Sequence, residues 1–168
     1  MLLSQNNTIV LFHFKMSTNI SRWYNTNDDV MGGISNSKMI QDKNGNGVFT
    51  GNISLENNRG FAMIRFPLDI KITDHHKKVV LYLKGDGKEY QLRLKSNKSQ
   101  NYWYVAPFQT DTEVQQIEIP LKVFYPLFRG YKLKLDNFSS NTIKEIAILI
   151  GNKKNETFKL TIDKIRIK

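Results

Sequence analysis

The sequence predicts an all-β protein, a sandwich or barrel of about ten short strands, on three observations. Its hydrophobic pattern has a period of two rather than 3.6. Asn- and Gly-rich turns separate the alternating segments, and there is no amphipathic stretch of ordinary helix length. The 168 residues suit one domain, 1–168, with enough chain to bury a self-sufficient core.

The elements follow in order. Thr8–Phe14 reads as a first strand. Lys38–Gln41 and Val48–Leu55 flank Asp42-Lys43-Asn44-Gly45-Asn46-Gly47, whose Asn and Gly tolerate the positive φ of tight turns, so the pair is a hairpin. Phe61–Leu68 is a strand expected to close at Pro67, which has no N–H to give a sheet. Lys78–Lys84 and Glu89–Lys95 surround Gly85-Asp86-Gly87, a second hairpin. In its second arm Tyr90, Leu92 and Leu94 share one face, and Gln91, Arg93 and Lys95 share the other, wet one. Tyr102–Phe108 and Gln115–Ile119 follow. Pro120–Gly130 breaks the alternation and reads as a helical turn or packed loop that plugs one end. Ile143–Ile150 and Phe158–Ile167 close the pattern. The first holds a run apolar on both faces, as a central strand requires.

Composition excludes several classes. Without cysteine there are no disulfides, thiolate metal sites or cysteine nucleophiles. The net charge is +10, but Lys and Arg are spread along the chain among acids with no run of five or six. The reading is a solvated lysine-rich surface, and nucleic acid is not the expected partner. No apolar run reaches the roughly 18 residues of a membrane span. Ile9-Val10-Leu11-Phe12 lacks the flanks of a signal peptide, so a cytoplasmic protein is expected.

The segment Trp23 to Gly33 is the most unusual. Asp28 and Asp29 are adjacent and point to opposite sides of an extended chain, so they form no acid–base pair. Asn27 and Asp28 can bond neighbouring N–H groups, and Gly32-Gly33 permits a sharp turn. A loop anchored by Trp23 and Met31 is one reading; a ligand-contacting loop is the other. Gly85-Asp86-Gly87-Lys88 lacks Walker spacing and reads as a turn. His75 and His76 lie in a polar turn without partners at metal-ligand spacing, so no metal and no cofactor is expected. Tyr102-Trp103-Tyr104 alternates, one set inward and one outward; core packing is the first reading, and outward rings on a concave sheet that stack sugars or bases are the other. No nucleophile elbow or zinc-protease motif occurs, so the chain is not expected to be an enzyme.

Trp23, Asn27-Asp28-Asp29-Val30-Met31-Gly32-Gly33 and Phe49 through Asn57, Arg59, Gly60 and Phe61 resemble the complex I intermediate-associated protein 30 family. So do Gly85-Asp86-Gly87-Lys88-Glu89-Tyr90, Ile119-Pro120-Leu121, Phe124 through Gly130, and Phe158 through Ile165. The resemblance runs in order over nearly the whole chain. It implies a galactose-binding-like jelly-roll sandwich, similar to some carbohydrate-binding modules. It also implies protein partners, membrane-complex subunits among them, since eukaryotic members assist respiratory complex I assembly. The chain differs in having no recognisable mitochondrial transit peptide, which points to a compact bacterial relative. It also carries Arg59 where the family has a glycine, beside the main motif. Two functions stay open: an assembly-type protein-binding module, and a carbohydrate or other small-ligand module. The candidate contact residues are Trp23, Asn27, Asp28, Asp29, Met31, Gly32, Gly33, Asn57, Arg59, Asp86, Tyr102 and Trp103.

Overall fold

A computed structural model describes residues 7–17, 19–27, 36–55 and 60–168. Thirteen strands form among them: β1 Ile9–His13, β2 Tyr24–Asn27, β3 Asn36–Gln41, β4 Gly47–Ile53, β5 Ala62–Lys71, β6 Lys78–Lys84 and β7 Glu89–Lys95. The chain continues through β8 Trp103–Gln109, β9 Val114–Pro120, β10 Tyr125–Phe128, β11 Tyr131–Lys132, β12 Thr142–Ile150 and β13 Glu156–Ile167. Two antiparallel sheets result. One runs β3-β4-β13-β6-β9, with β1 also pairing β13; the other runs β11-β10-β8-β7-β12-β5-β2. The sandwich expected from the alternating pattern is therefore present. Among the described residues, no helix is long and apolar enough to cross a membrane.

Period-two alternation places the core. Tyr90, Leu92 and Leu94 of β7 are buried between the sheets, opposite Leu160, Ile162 and Ile165 of β13 across one continuous apolar cluster. One end is filled by rings: Trp23 stacks on Phe66 at 4.9 Å, and Phe12 meets both edge-on. The Trp23 Nε1–H is buried there without an acceptor.

Lys78–Lys84 and Glu89–Lys95 do not form the expected hairpin: β6 pairs with β13 and β9 in one sheet and β7 with β12 and β8 in the other, so Gly85-Asp86-Gly87 carries the chain between sheets and the two apolar faces meet across the core. The other hairpin forms as expected, β3 pairing with β4. Asp42 Oδ1 accepts from the Asn44 and Asn46 N–H groups, and Gly45 takes φ +85 at the tip. Three further expectations need correction. β5 does not stop at Pro67 but runs on to Lys71. Pro67 stands opposite Glu145 at a register shift, where the ladder skips and a missing N–H costs little. Pro120–Gly130 is not a plug of loop alone: a 3-10 turn at Leu121–Val123 leads into β10. The strands number thirteen rather than about ten, because β2, β10 and β11 are short edge-side pieces.

Candidate functional site

The seven-stranded sheet turns one face to the core and the other outward. Its register assembles a row across that outer face. Tyr24 stands opposite Arg65, Arg65 opposite Ala147, Ala147 opposite Arg93, Arg93 opposite Val105, and Val105 opposite Tyr125. A second row lies alongside: Pro67 opposite Glu145, Glu145 opposite Lys95, then Trp103 opposite Leu127, and Leu127 opposite Lys132. Because successive side chains alternate, these residues come from all seven strands of the sheet yet share one surface.

The rows hold one carboxylate, and it is saturated. Glu145 Oε2 accepts from the Tyr24 hydroxyl at 2.6 Å and from Arg65 Nε at 2.8 Å, while Oε1 accepts from Arg65 Nη2 at 2.9 Å. Burial pushes the Glu145 carboxyl up, but the hydrogen bonds and charges of Arg65, Tyr24 and Lys95 outweigh it and hold the group below its ordinary 4.5. Burial, with the Glu145 bond, pushes the Tyr24 hydroxyl up to about 12. A carboxylate this firmly ionised and bidentate to a guanidinium is a fixed strut and a poor proton donor.

Arg93 is different. Its Nε and Nη2 both donate to Gln91 Oε1, at 3.0 and 2.7 Å, and it forms no ion pair among the described residues. Burial pulls its guanidinium down to about 10, only partly countered by the neighbouring Tyr125, so it stays charged at neutral pH. Lys95 is likewise pulled down, by burial first and then by the charge of Arg65.

Each ring in these rows lies under a cation. Arg65 sits 5.1 Å from the Tyr24 ring and 5.1 Å from the Trp103 ring, Lys95 4.6 Å from Trp103, and Lys132 5.3 Å from Tyr125. Ala147 makes this possible: with only a methyl beneath it, Trp103 packs down on Met63, Ala147 and Leu149.

Those expected functional residues that the structure describes are dispersed. Trp23 is buried in the aromatic end of the core. Asn27 pairs through its backbone with Ala62 at the edge of the seven-stranded sheet. Asp28, Asp29, Met31, Gly32, Gly33, Asn57 and Arg59 lie outside the described residues. Asp86 lines a cleft of about 700 Å³ with Asn52 and Lys159, but its oxygens already serve the fold. Oδ1 takes the Lys88 N–H, Oδ2 takes the Lys159 N–H, and the Tyr90 hydroxyl donates to the pair. Tyr102 and Trp103 part company as alternation requires. Trp103 faces out, whereas Tyr102 lies edge-on to the inward Tyr104 at 5.5 Å. Of the five candidates among the described residues only Trp103 belongs to the outer rows. Sequence reading missed Tyr24, Arg65, Tyr125 and Glu145; it did place Gln91, Arg93 and Lys95 on the wet face, without a role. Among the described residues no group of three or more His, Asp or Glu could hold a metal ion.

A family model described as complex I intermediate-associated protein 30 matches residues 12–162. No curated protein matches the sequence. Among solved structures, the chain is similar to a family 11 carbohydrate-binding module from Clostridium thermocellum in complex with a β-1,3-1,4-mixed-linked tetrasaccharide. That match has 18% identity and TM-score 0.69, covering 95% of this chain and 94% of that one. The family 11 module of the C. thermocellum cellulosomal cellulase Lic26A-Cel5E gives 17% identity and TM-score 0.70 over 98% and 95% of the two chains. A family 29 carbohydrate-binding module gives 7% identity and TM-score 0.55 over 96% and 91%. At these identities the likeness speaks for the jelly-roll sandwich alone.

Proposed function

The chain belongs to the complex I intermediate-associated protein 30 family, and from that premise we propose a non-enzymatic protein-binding module. Its contact surface is the outer face of the seven-stranded sheet, and its task is to assist assembly of a respiratory NADH dehydrogenase or another membrane complex. The observation that carries the surface assignment is the row of rings under cations: Tyr24 beneath Arg65, Trp103 beneath Arg65 and Lys95, Tyr125 beneath Lys132. Tyr, Trp and Arg are the residues that dominate protein interfaces. A pyranose stacks on a bare ring, and each of these rings already holds a cation.

The test is a photo-crosslinking amino acid placed at Tyr125, with the same group at Tyr82 on the other sheet as control. Crosslinks from position 125 to subunits of a membrane complex in host extract are the expected result. Crosslinks only from position 82, or none from either, reject the assignment.

A second reading, carbohydrate binding, is favoured by the likeness to sugar-binding modules and by the amide of Gln91 and guanidinium of Arg93 on the same sheet face as Trp103. Titration with mixed-linked β-glucan oligosaccharides decides it. A change in tryptophan fluorescence that Trp103→Ala removes supports it, and a flat signal with no thermal shift rejects it.

A further inference from the structure

We propose that Arg93 is the centre of a carboxylate-binding site, filled by an Asp or Glu side chain of a protein partner. The site rests on the reading of this face as a contact surface, and it names the chemistry of what docks there.

The argument begins with the contrast between two guanidinium groups in one row. Arg65 has two bonds to Glu145 and needs nothing more. Arg93, two places along the same row, is half-buried and has only the neutral carbonyl of Gln91. A guanidinium taken out of water without a counter-charge is costly, and proteins seldom retain one unless another group completes it. Its Nε and Nη2 are used on Gln91, but among the described residues Nη1 makes no hydrogen bond, and it is not sealed in the interior. Nη1, with the remaining proton of Nη2, presents the end of the fork that takes both oxygens of a carboxylate.

The surroundings reinforce the sign of the ligand. The two rows carry Arg65, Arg93, Lys95 and Lys132 against the single carboxylate of Glu145, which is saturated. An incoming anion meets no competing acid there and is drawn by the net charge of +10. The cation-covered rings favour a protein side chain over a uronic acid, which would lack a bare ring to stack upon.

Calorimetric titration with an oligoglutamate peptide at low ionic strength tests the site. An oligogalacturonate of matching length is titrated in parallel. Arg93→Gln is expected to weaken oligoglutamate binding by about tenfold or more. Arg93→Lys, which keeps the charge and loses the fork, should fall in between. Lys164→Gln, on the other sheet, removes one charge and should change affinity less than about twofold. Equal losses in Arg93→Gln and Lys164→Gln would reduce the attraction to net charge and overturn the site. Tighter, Arg93-dependent binding of the oligogalacturonate would overturn the protein source. Thermal unfolding of free Arg93→Met separates binding from a structural role. Its midpoint should rise, by about 2–4 °C for each kcal/mol gained, because an uncompensated charge is gone. A fall instead would make Arg93 a structural residue and overturn the proposal. Crosslinks from position 125 that persist undiminished in Arg93→Gln would defeat this site and leave the contact face intact. Absence of those crosslinks in the unmodified protein would defeat the face itself.

Discussion

Tyr24 and Glu145 lie 121 positions apart in the chain, and the tyrosine hydroxyl donates to the carboxylate at 2.6 Å. The bond spans β2 and β12 with β5 between them, so it ties an edge strand to the centre of its sheet. Glu145→Gln should cost about 3 kcal/mol at neutral pH, since it leaves the half-buried Arg65 without its counter-charge. Tyr24→Phe removes one charge-assisted bond and should cost about 1.5 kcal/mol. Urea denaturation of the two variants checks the order, and a larger loss in Tyr24→Phe would refute it.

The same network sets a pH dependence at both ends. The Glu145 carboxyl is held below its ordinary 4.5, so its contribution is complete above that pH and is lost as pH falls through the folded value. The stability gap between the unmodified protein and Glu145→Gln should therefore narrow below about pH 4.5. Tyr24 is raised from 10.0 to about 12. Its contribution is complete below pH 10 and is lost as pH rises toward 12. Tyr24→Phe should show a shallower alkaline decline. Denaturation midpoints recorded across pH would read both limbs.

Asp86 should behave as a structural residue. Asp86→Ala strands the Tyr90 hydroxyl, whose residue is 1% exposed, and the Lys159 N–H of β13. The orphaned, buried Tyr90 hydroxyl costs about 1–3 kcal/mol, and the exposed Lys159 N–H, which water can reach, costs less. Stability should fall while crosslinking from position 125 is unchanged. Loss of crosslinks in a variant that remains folded would show that the cleft around Asp86 takes part in binding.

Two glycines make an opposed pair. A Cβ at Gly51 would stand 2.1 Å from the Asn36 carbonyl oxygen and 2.7 Å from the Ser37 Cα, both backbone atoms of β3. Gly51→Ala should push β3 from the sheet edge at a cost of about 3 kcal/mol. Gly87 has open space around it but φ +83, so Gly87→Ala should cost only about 1 kcal/mol, from conformation alone. Comparable losses in thermal unfolding would refute the distinction.

Alternation made much of this fold legible. Tyr90, Leu92 and Leu94 announced an inner face, and Gln91, Arg93 and Lys95 an outer one. A period of two tells which side a residue takes but not which neighbours it meets there. Arg65 and Glu145 are 80 positions apart and become partners only through the β5–β12 register. Glu145 was obscure for another reason: it opens the apolar run of β12, whose pattern speaks of burial rather than charge. The short strands escaped because Tyr24–Asn27 carries no apolar alternation and Tyr131–Lys132 is two residues long. The motif around Asn27–Gly33, the most conspicuous feature of the sequence, contributes Asn27 to the described sheet edge, and the clearest cluster of charge and rings was assembled elsewhere.

β13 pairs with β4 and β1 on one side and with β6 on the other, although every other strand precedes it in the chain. A ribosome therefore releases five partners of that sheet before the strand that joins them exists. Until β13 emerges, β4 and β6 present unsatisfied edges and apolar faces to whatever is nearby. Folding must wait on contacts that span most of the polypeptide, so closure of this sheet should be slow. During synthesis those waiting edges are where premature pairing with another chain would begin.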